Sequence, residues 1–377
     1  MQNLSFLVIG ACCAGAWAHG TQPDAGLDPD LDPAADNSKL KEQVLSDDGW
    51  SLSKLKLRDA TLYWENDGTV PNLIDNTDRF YTNGVGIELS FDPQISGELA
   101  DRLSFWGDWD SPRFGMGLAI KQMIYTGVDI TDPAPALNDH PYGGIMYFAF
   151  SFQRADEHKH DHFELDLGVV GERSQAEAVQ RYIHHVFPDE NTPQGWSNQL
   201  ANEVAINATF ERTWKTKAGE INLFNNDSNP DGSGLSFEML PAIGLDLGNV
   251  HTRARGQVTL RAGMNLPEDF GPASLLGHKD HTVSASDWGQ GNWSFYLYTT
   301  LGVDAVAHDI FLDGNTFATS RSVDSEPFVA KATVGLVTRY KSLYLGWSQT
   351  FQSEQYESQP NHQTWGAIVL GCSIDIR

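Results

Sequence analysis

Three stretches between positions 65 and 203 hold the residues best suited to chemistry. The first is Glu65-Asn66-Asp67, followed by Asp75-Asn76-Thr77-Asp78, which runs into Arg79-Phe80-Tyr81-Thr82-Asn83-Gly84. Such Asn- and Asp-rich stretches present hard oxygen donors of the kind that bind Ca2+. Taken alone, Asn66-Asp67-Gly68 also reads as a simple turn. The second stretch, residues 175–187, has neither Pro nor Gly and reads as a helix, with Val179, Ile183 and Val186 as an apolar stripe. Gln180 and His184 stand one turn apart on that helix and are neighbours on one face. A neutral imidazole, titrating near pH 6.5, can take a proton from water, although an isolated loop histidine is usually inert. The third stretch alternates His158, His160 and His162. It resembles a metal site and is read here as a solvated hairpin. No G-x-S-x-G, phosphate-binding loop or Cys/His zinc spacing occurs, so a serine hydrolase has no signature in the chain.

The elements that must hold these residues are strands. In residues 79–91, Tyr81, Val85, Ile87, Leu89 and Phe91 alternate with Thr82, Gly84, Gly86, Glu88 and Ser90, which puts Thr82 and Glu88 on an inward face. Comparable runs occur at 163–170, 253–264, 328–340 and 368–377. An ordinary globular strand has about 5–6 residues. A tilted strand that crosses a bilayer needs about 9–11, apolar on one side and polar on the other. Twelve candidate strands begin near 59, 79, 114, 143, 162, 199, 234, 252, 293, 327, 342 and 364. An even number lets an antiparallel barrel close with no edge left unpaired in lipid. The fold class is therefore all-β, a twelve-stranded antiparallel transmembrane β-barrel over residues 51–377. A soluble sandwich would explain the alternation but not the charged faces. Their mixed signs, with Arg253, Arg255 and Arg261 among Glu- and Asp-bearing strands, imply a charge-paired interior rather than an open channel.

The 377 residues carry 25 Lys and Arg against 50 Asp and Glu, a net charge of −25, which excludes the basic face that nucleic-acid binding requires. Residues 1–18 contain no charged side chain and end Ala16-Trp17-Ala18, which reads as a secretory signal peptide. Ile9-Gly10-Ala11-Cys12 offers a competing lipidation site. Residues 19–50 form an acidic, Pro-rich leader with little to bury, expected to be disordered. The remaining thiol, Cys372, has no partner for an internal disulfide. If the N-terminus lies in the periplasm, parity opens the connections 67–78, 127–142 and 172–198 on the outer face. The oxygen-rich stretch and the loop helix then share one mouth.

In order and spacing these motifs resemble the outer-membrane lipid A 3′-O-deacylases. The matching segments are END at 65–67, DRFYTNG at 78–84, YTGVD at 125–129, DHPYGG at 139–144, Gln180 with His184, and P-x-GW-x-x-QL-x-x-E at 193–203. The chain has His140 and Gly143 where the family pattern carries Arg and Ala. The resemblance implies a Ca2+-dependent ester hydrolase acting on lipopolysaccharide in the outer leaflet, as a monomer embedded in the bacterial outer membrane. Carried over by motif, His184 is the general base, Asp67 and Glu190 are metal ligands, and Asn66, Thr82 and Gln180 line the site. Glu65, Asp75, Asp78 and Asp189 lie in the same two loops, so the full ligand set stays open. Two other readings remain: an outer-membrane phospholipase or esterase acting on another acyl lipid, and a non-catalytic, porin-like barrel.

Overall fold

A computed structural model of the chain describes residues 55–68, 71–74, 77–95, 98–104, 107–186, 192–221, 234–275 and 293–374. The signal peptide and the acidic leader read from the sequence lie outside the described residues. The strands are β1 (Lys56–Asn66), β2 (Phe80–Asp92), β3 (Arg113–Thr126), β4 (Gly143–Ala155), β5 (Lys159–Val170), β6 (Glu203–Trp214), β7 (Thr216–Ile221), β8 (Leu235–Gly248), β9 (His251–Met264), β10 (Trp293–Asp309), β11 (Phe328–Tyr340), β12 (Leu343–Gln352) and β13 (Gln363–Ser373). Helices are short: α1 (Glu98–Leu103), α2 (Ala176–Val186) and α3 (Ile310–Asp313).

All of the strands pair antiparallel in one sheet. It closes where β1 meets β13, with Thr61 opposite Gly371, and where β6 meets β8, with Thr209 opposite Asp246. The thirteenth strand does not add a stave. β7 follows β6 after Lys215 and pairs with residues 235–239 of β8, whereas β6 pairs with residues 242–248 of the same strand. One stave is thus broken at Lys215, and the barrel has the twelve staves expected from the sequence.

The wall follows from period-2 alternation. Ile87, Leu118, Ile120, Phe148, Phe150, Leu165 and Leu167 point outward and are exposed, forming an apolar belt of the kind lipid covers. No described helix is long and apolar enough to cross a membrane.

The lumen is polar and filled. Lys121 Nζ lies 3.1 Å from both Glu164 oxygens, Tyr63 donates to Glu88 at 2.8 Å, and Arg253 reaches Asp246 at 2.6 Å. After β9 the chain turns into this space. Arg261 donates to the carbonyls of Pro267 (2.9 Å) and Asp269 (3.1 Å) and pairs with the Asp269 and Glu238 carboxylates. Leu275 then lies against Gly84 and Gly86, where a Cβ would come within 2.7 and 2.6 Å of it. Its N–H donates to Glu65 at 3.2 Å. At the opposite end of the lumen from Asp269, Phe311 of α3 stacks on Tyr125 with ring centroids 3.9 Å apart. A polar cavity of about 110 Å³ remains between these two closures, lined by Arg253, Thr300, Lys331, Thr333 and Thr350 among others.

The hairpin of alternating histidines is not solvated as the sequence implied. His158 alone is exposed in the turn; His160 and His162 belong to β5 and are buried on its lumen side. The His160 ring stacks on Phe270 of the inturned segment, centroids 5.3 Å apart, and bonds Gln153 at 2.9 Å.

Arg261 is fully buried with two carboxylates. Removing one partner of a buried charge cluster costs about 3–5 kcal/mol, because the remaining charges lose their compensation. Arg261→Ala is therefore expected to lower the thermal unfolding midpoint in detergent well below that of Arg58→Ala, whose ion pair with Asp92 is partly exposed.

Candidate active site at the barrel mouth

The mouth is built first from the loop between β1 and β2. Asn66 ends β1 and shapes this loop: its Oδ1 accepts from Gly68 N–H (2.7 Å), and its Nδ2 donates to the Thr82 carbonyl (2.9 Å) and Asn83 Oδ1 (3.3 Å). Asp67 is thereby folded inward and is fully buried. Its Oδ2 accepts from the Thr77 hydroxyl (2.9 Å) and the Arg79 N–H (2.8 Å). Its Oδ1 is buried with no hydrogen-bond partner among the described residues. Burial, reinforced by the nearby negative charge of Asp78, pushes the Asp67 carboxyl well above the usual range. Asn72 closes the loop over it, donating to the Asp67 carbonyl at 2.9 Å and to Thr364 on β13 at 3.2 Å.

The start of β2 departs from simple alternation. Phe80 has φ +61°, in the left-handed region that a bulky residue rarely adopts. The register slips between Tyr81 and Asn83. This β-bulge re-aims the side chains around it. Tyr81 turns into the lumen, where its hydroxyl donates to Glu65 at 2.8 Å. Thr82, expected inward, instead pairs its hydroxyl with Thr126 at 2.6 Å. Thr126 in turn donates to the Asp78 carbonyl at 3.2 Å. Alternation along β3 puts Thr126 on the face of Ile124, the outer wall.

The helix read at 175–187 is α2, and it packs on that same outer wall. Ile124, Tyr142, Ala176 and Trp196 form a buried cluster with Val179 against it; each large side chain so buried stabilises the docking by about 1.5–3 kcal/mol. The fit depends on Gly144, where a Cβ would stand 2.1 Å from that of Ala176. Gln122 on β3 ties down the turn before the helix, donating to the Ser174 carbonyl at 2.6 Å. Gln180 is buried, its Oε1 accepting from Trp196 Nε1 at 2.8 Å, while its Nε2 has no partner among the described residues. One turn later, the largely buried His184 has its Nε2 3.1 Å from Asp78 Oδ2.

Asn66, Asp67, Thr82, Gln180 and His184 are thus brought to one end of the barrel, joined through Asp78 and Thr126. Glu190, with Asp75 and Asp189, lies outside the described residues. Glu65 belongs to the lumen rather than to this site. Among the described residues no group of three or more His, Cys, Asp or Glu side chains is arranged to hold a metal. His140, where the family pattern has Arg, supplies no cation. It is buried between Phe80, Tyr125 and Tyr356, donates its Nδ1–H to the Pro141 carbonyl at 2.7 Å, and is pushed by burial down to about 4. Sequence reasoning missed Trp196 as the partner of Gln180 and Thr126 as the partner of Thr82. Trp196 stood within the matched GW motif, but nothing local marked Thr126.

The closed lipid-facing barrel, its filled lumen and a polar cluster under a loop helix at one mouth define a class of membrane-embedded barrel whose lumen is sealed and whose candidate site sits at the rim. The family model described as outer membrane protein LpxR matches residues 34–374. The chain belongs to that family and is an outer-membrane protein. Among solved structures it resembles LpxR from Salmonella typhimurium, with a TM-score of 0.64 at 14% identity, covering 83% of this chain and 99% of that one. The β domain of the Bordetella autotransporter BrkA aligns with a TM-score of 0.37 at 11% identity, covering 85% and 99% of the two chains. No curated protein matches the chain.

Two outcomes follow from this geometry. Gly144→Val should displace α2 and speed hydrogen exchange across residues 176–186, while exchange in β8 to β10 stays as in the unsubstituted protein. The neutral His140 gives a pH dependence of definite sign. Below about 6.5 the unfolded chain binds a proton that the folded chain refuses until about 4, so stability falls as pH drops across that window. His140→Phe should flatten that part of a plot of unfolding midpoint against pH.

Proposed function

We propose that the protein is a Ca2+-dependent lipid A 3′-O-deacylase, with His184 as general base. The observation that carries this reading is the meeting of His184, from the third outer loop, with the Asp67 loop at one mouth of the barrel. The family and the outer-membrane barrel support the coarser part, an enzyme acting on lipid A in the leaflet that surrounds it. The substrate is membrane lipopolysaccharide, and the protein works as a monomer.

The chemistry assigned to these residues is ester hydrolysis by water. His184 takes a proton from the water that attacks the ester carbonyl and returns it to the departing 3′-oxygen. Gln180 Nε2, buried and without a partner among the described residues, is a donor able to meet the substrate near that base. Thr82 and Asn66 hold the floor of the site through the Thr82 carbonyl and the hydroxyl pair with Thr126. Asp67 fits a cation ligand, because a buried carboxylate oxygen that no described residue satisfies is the group a hard cation would satisfy. Glu190 is the second proposed ligand. A bound Ca2+ would stabilise the negative charge that grows on the ester carbonyl oxygen. The site's position on the outer wall lets the acyl chain stay in lipid while its ester reaches water. The filled lumen speaks against the porin-like alternative.

Mass spectrometry of lipid A from cells expressing the protein should show loss of the 3′-linked acyl or acyloxyacyl mass. Chelating calcium should stop the reaction, and restoring it should rescue it. His184→Ala should lower the rate by about 10²-fold or more with the barrel still folded. An unchanged rate would remove His184 as the base. Equal or faster hydrolysis of phosphatidylethanolamine than of purified lipid A would favour the phospholipase reading.

A further inference from the structure

We propose that Asp78 is a positioning residue that helps hold the His184 imidazole in place, so that the β1–β2 loop takes part in orienting the base. This inference rests on the assignment of His184 as base. Three observations carry it. First, the Asp78 carboxylate lies 3.1 Å from His184 Nε2, bridging two loops far apart in sequence. Second, its neighbours point the other way: the Thr77 hydroxyl and the Arg79 N–H both donate to Asp67 Oδ2. Residues 77–79 therefore present Asp67 with two donors and His184 with one acceptor, joining the proposed metal ligand to the base through a single short segment. Third, the Asp78 backbone is itself fixed, its carbonyl accepting from Thr126, whose hydroxyl pairs with Thr82.

A carboxylate beside an imidazole does two things. It favours the imidazolium that forms when the base takes up a proton, and it selects the ring orientation and tautomer. Asp78 sits where it can do both, with its side chain partly open to solvent and that of His184 nearly covered. The chief competing role for Asp78 is direct calcium ligation alongside Asp67. The two roles predict different kinetics.

The test uses the full chain in detergent micelles with Asp78→Asn, which keeps the shape and removes the charge, together with Asp78→Ala and Asp78→Glu. For Asp78→Asn, kcat on lipid A should fall about 10- to 100-fold, while KM and the calcium concentration for half-maximal activity stay unchanged. Asp78→Glu should recover part of kcat. A second readout needs no turnover. In histidine NMR, with the His184 signal assigned by its loss in His184→Asn, the imidazole pKa should drop by about one unit in Asp78→Asn. A variant that regains the unsubstituted kcat at high calcium would overturn the proposal in favour of ligation, and so would a His184 signal that titrates as before. If the unsubstituted protein releases no acyl chain from lipid A, the functional reading fails, and the NMR measurement still decides whether Asp78 governs His184.

Discussion

Closure of the sheet is the constraint on which the rest of the structure depends. In hydrocarbon an unpaired backbone N–H or C=O costs several kcal/mol, so a strand can face lipid only if both its edges are hydrogen-bonded. The ladders between β1 and β13 and between β6 and β8 satisfy this and bring the two ends of the chain's fold together. They also put every second connection at the same mouth. Asp67 and His184 meet because an even number of staves separates their loops by a few strand widths, whatever the distance along the chain.

Two kinds of packing divide the labour inside that frame. The lumen is sealed by paired charges and by the segment that brings Asp269 and Leu275 inward, with Phe311, Tyr125 and His140 stacked at the mouth. The site lies outside this seal, between the wall at Ile124 and Thr126 and the underside of α2. Its docking uses apolar contacts and one glycine, so the helix can be held tightly without a charged residue touching lipid. A site in this position is reached from the bilayer side, as the proposed reaction on a membrane-anchored ester demands. A site in the lumen would have to draw its substrate out of the leaflet first.

The parts of the fold that lipid dictates were legible in the sequence, and the parts set by local exceptions were not. Strand starts expected at 79, 143, 234, 252, 293, 327, 342 and 364 fall within one residue of the observed ones, because a lipid-facing stave enforces long, strict alternation. The helix of Gln180 and His184 was legible for the same kind of reason, having a clear period and no breaker. The break at Lys215 was not, since it leaves the alternation on either side intact. The bulge at Thr82 could not be read either: it shifts the inward face by one residue with no Gly or Pro to mark it, so Tyr81 and Thr82 exchange roles. His160 and His162 looked like surface residues by composition, but β5 turns both into the lumen, where the inturned segment, contributed from more than a hundred residues away, stacks Phe270 on His160.

Asp67 is the point at which the fold alone is incomplete. A fully buried carboxylate carries a large desolvation penalty, offset when both oxygens receive donors. Here the described residues of the loop supply two donors to Oδ2 and none to Oδ1, and Asp78 adds a second negative charge close by. A loop selected only for stability would replace Asp67 with Asn, whose neutral amide could keep the acceptor bonds without the penalty. The Asn66 side chain shows that the neighbouring position does use an amide for that purpose. Keeping the acid one residue later fits the proposed role of Asp67 as a cation ligand, since a bound cation would satisfy the buried oxygen and offset the charge of Asp78. The proposal of a metal at this mouth thus draws on the cost of burying Asp67 as well as on the family resemblance.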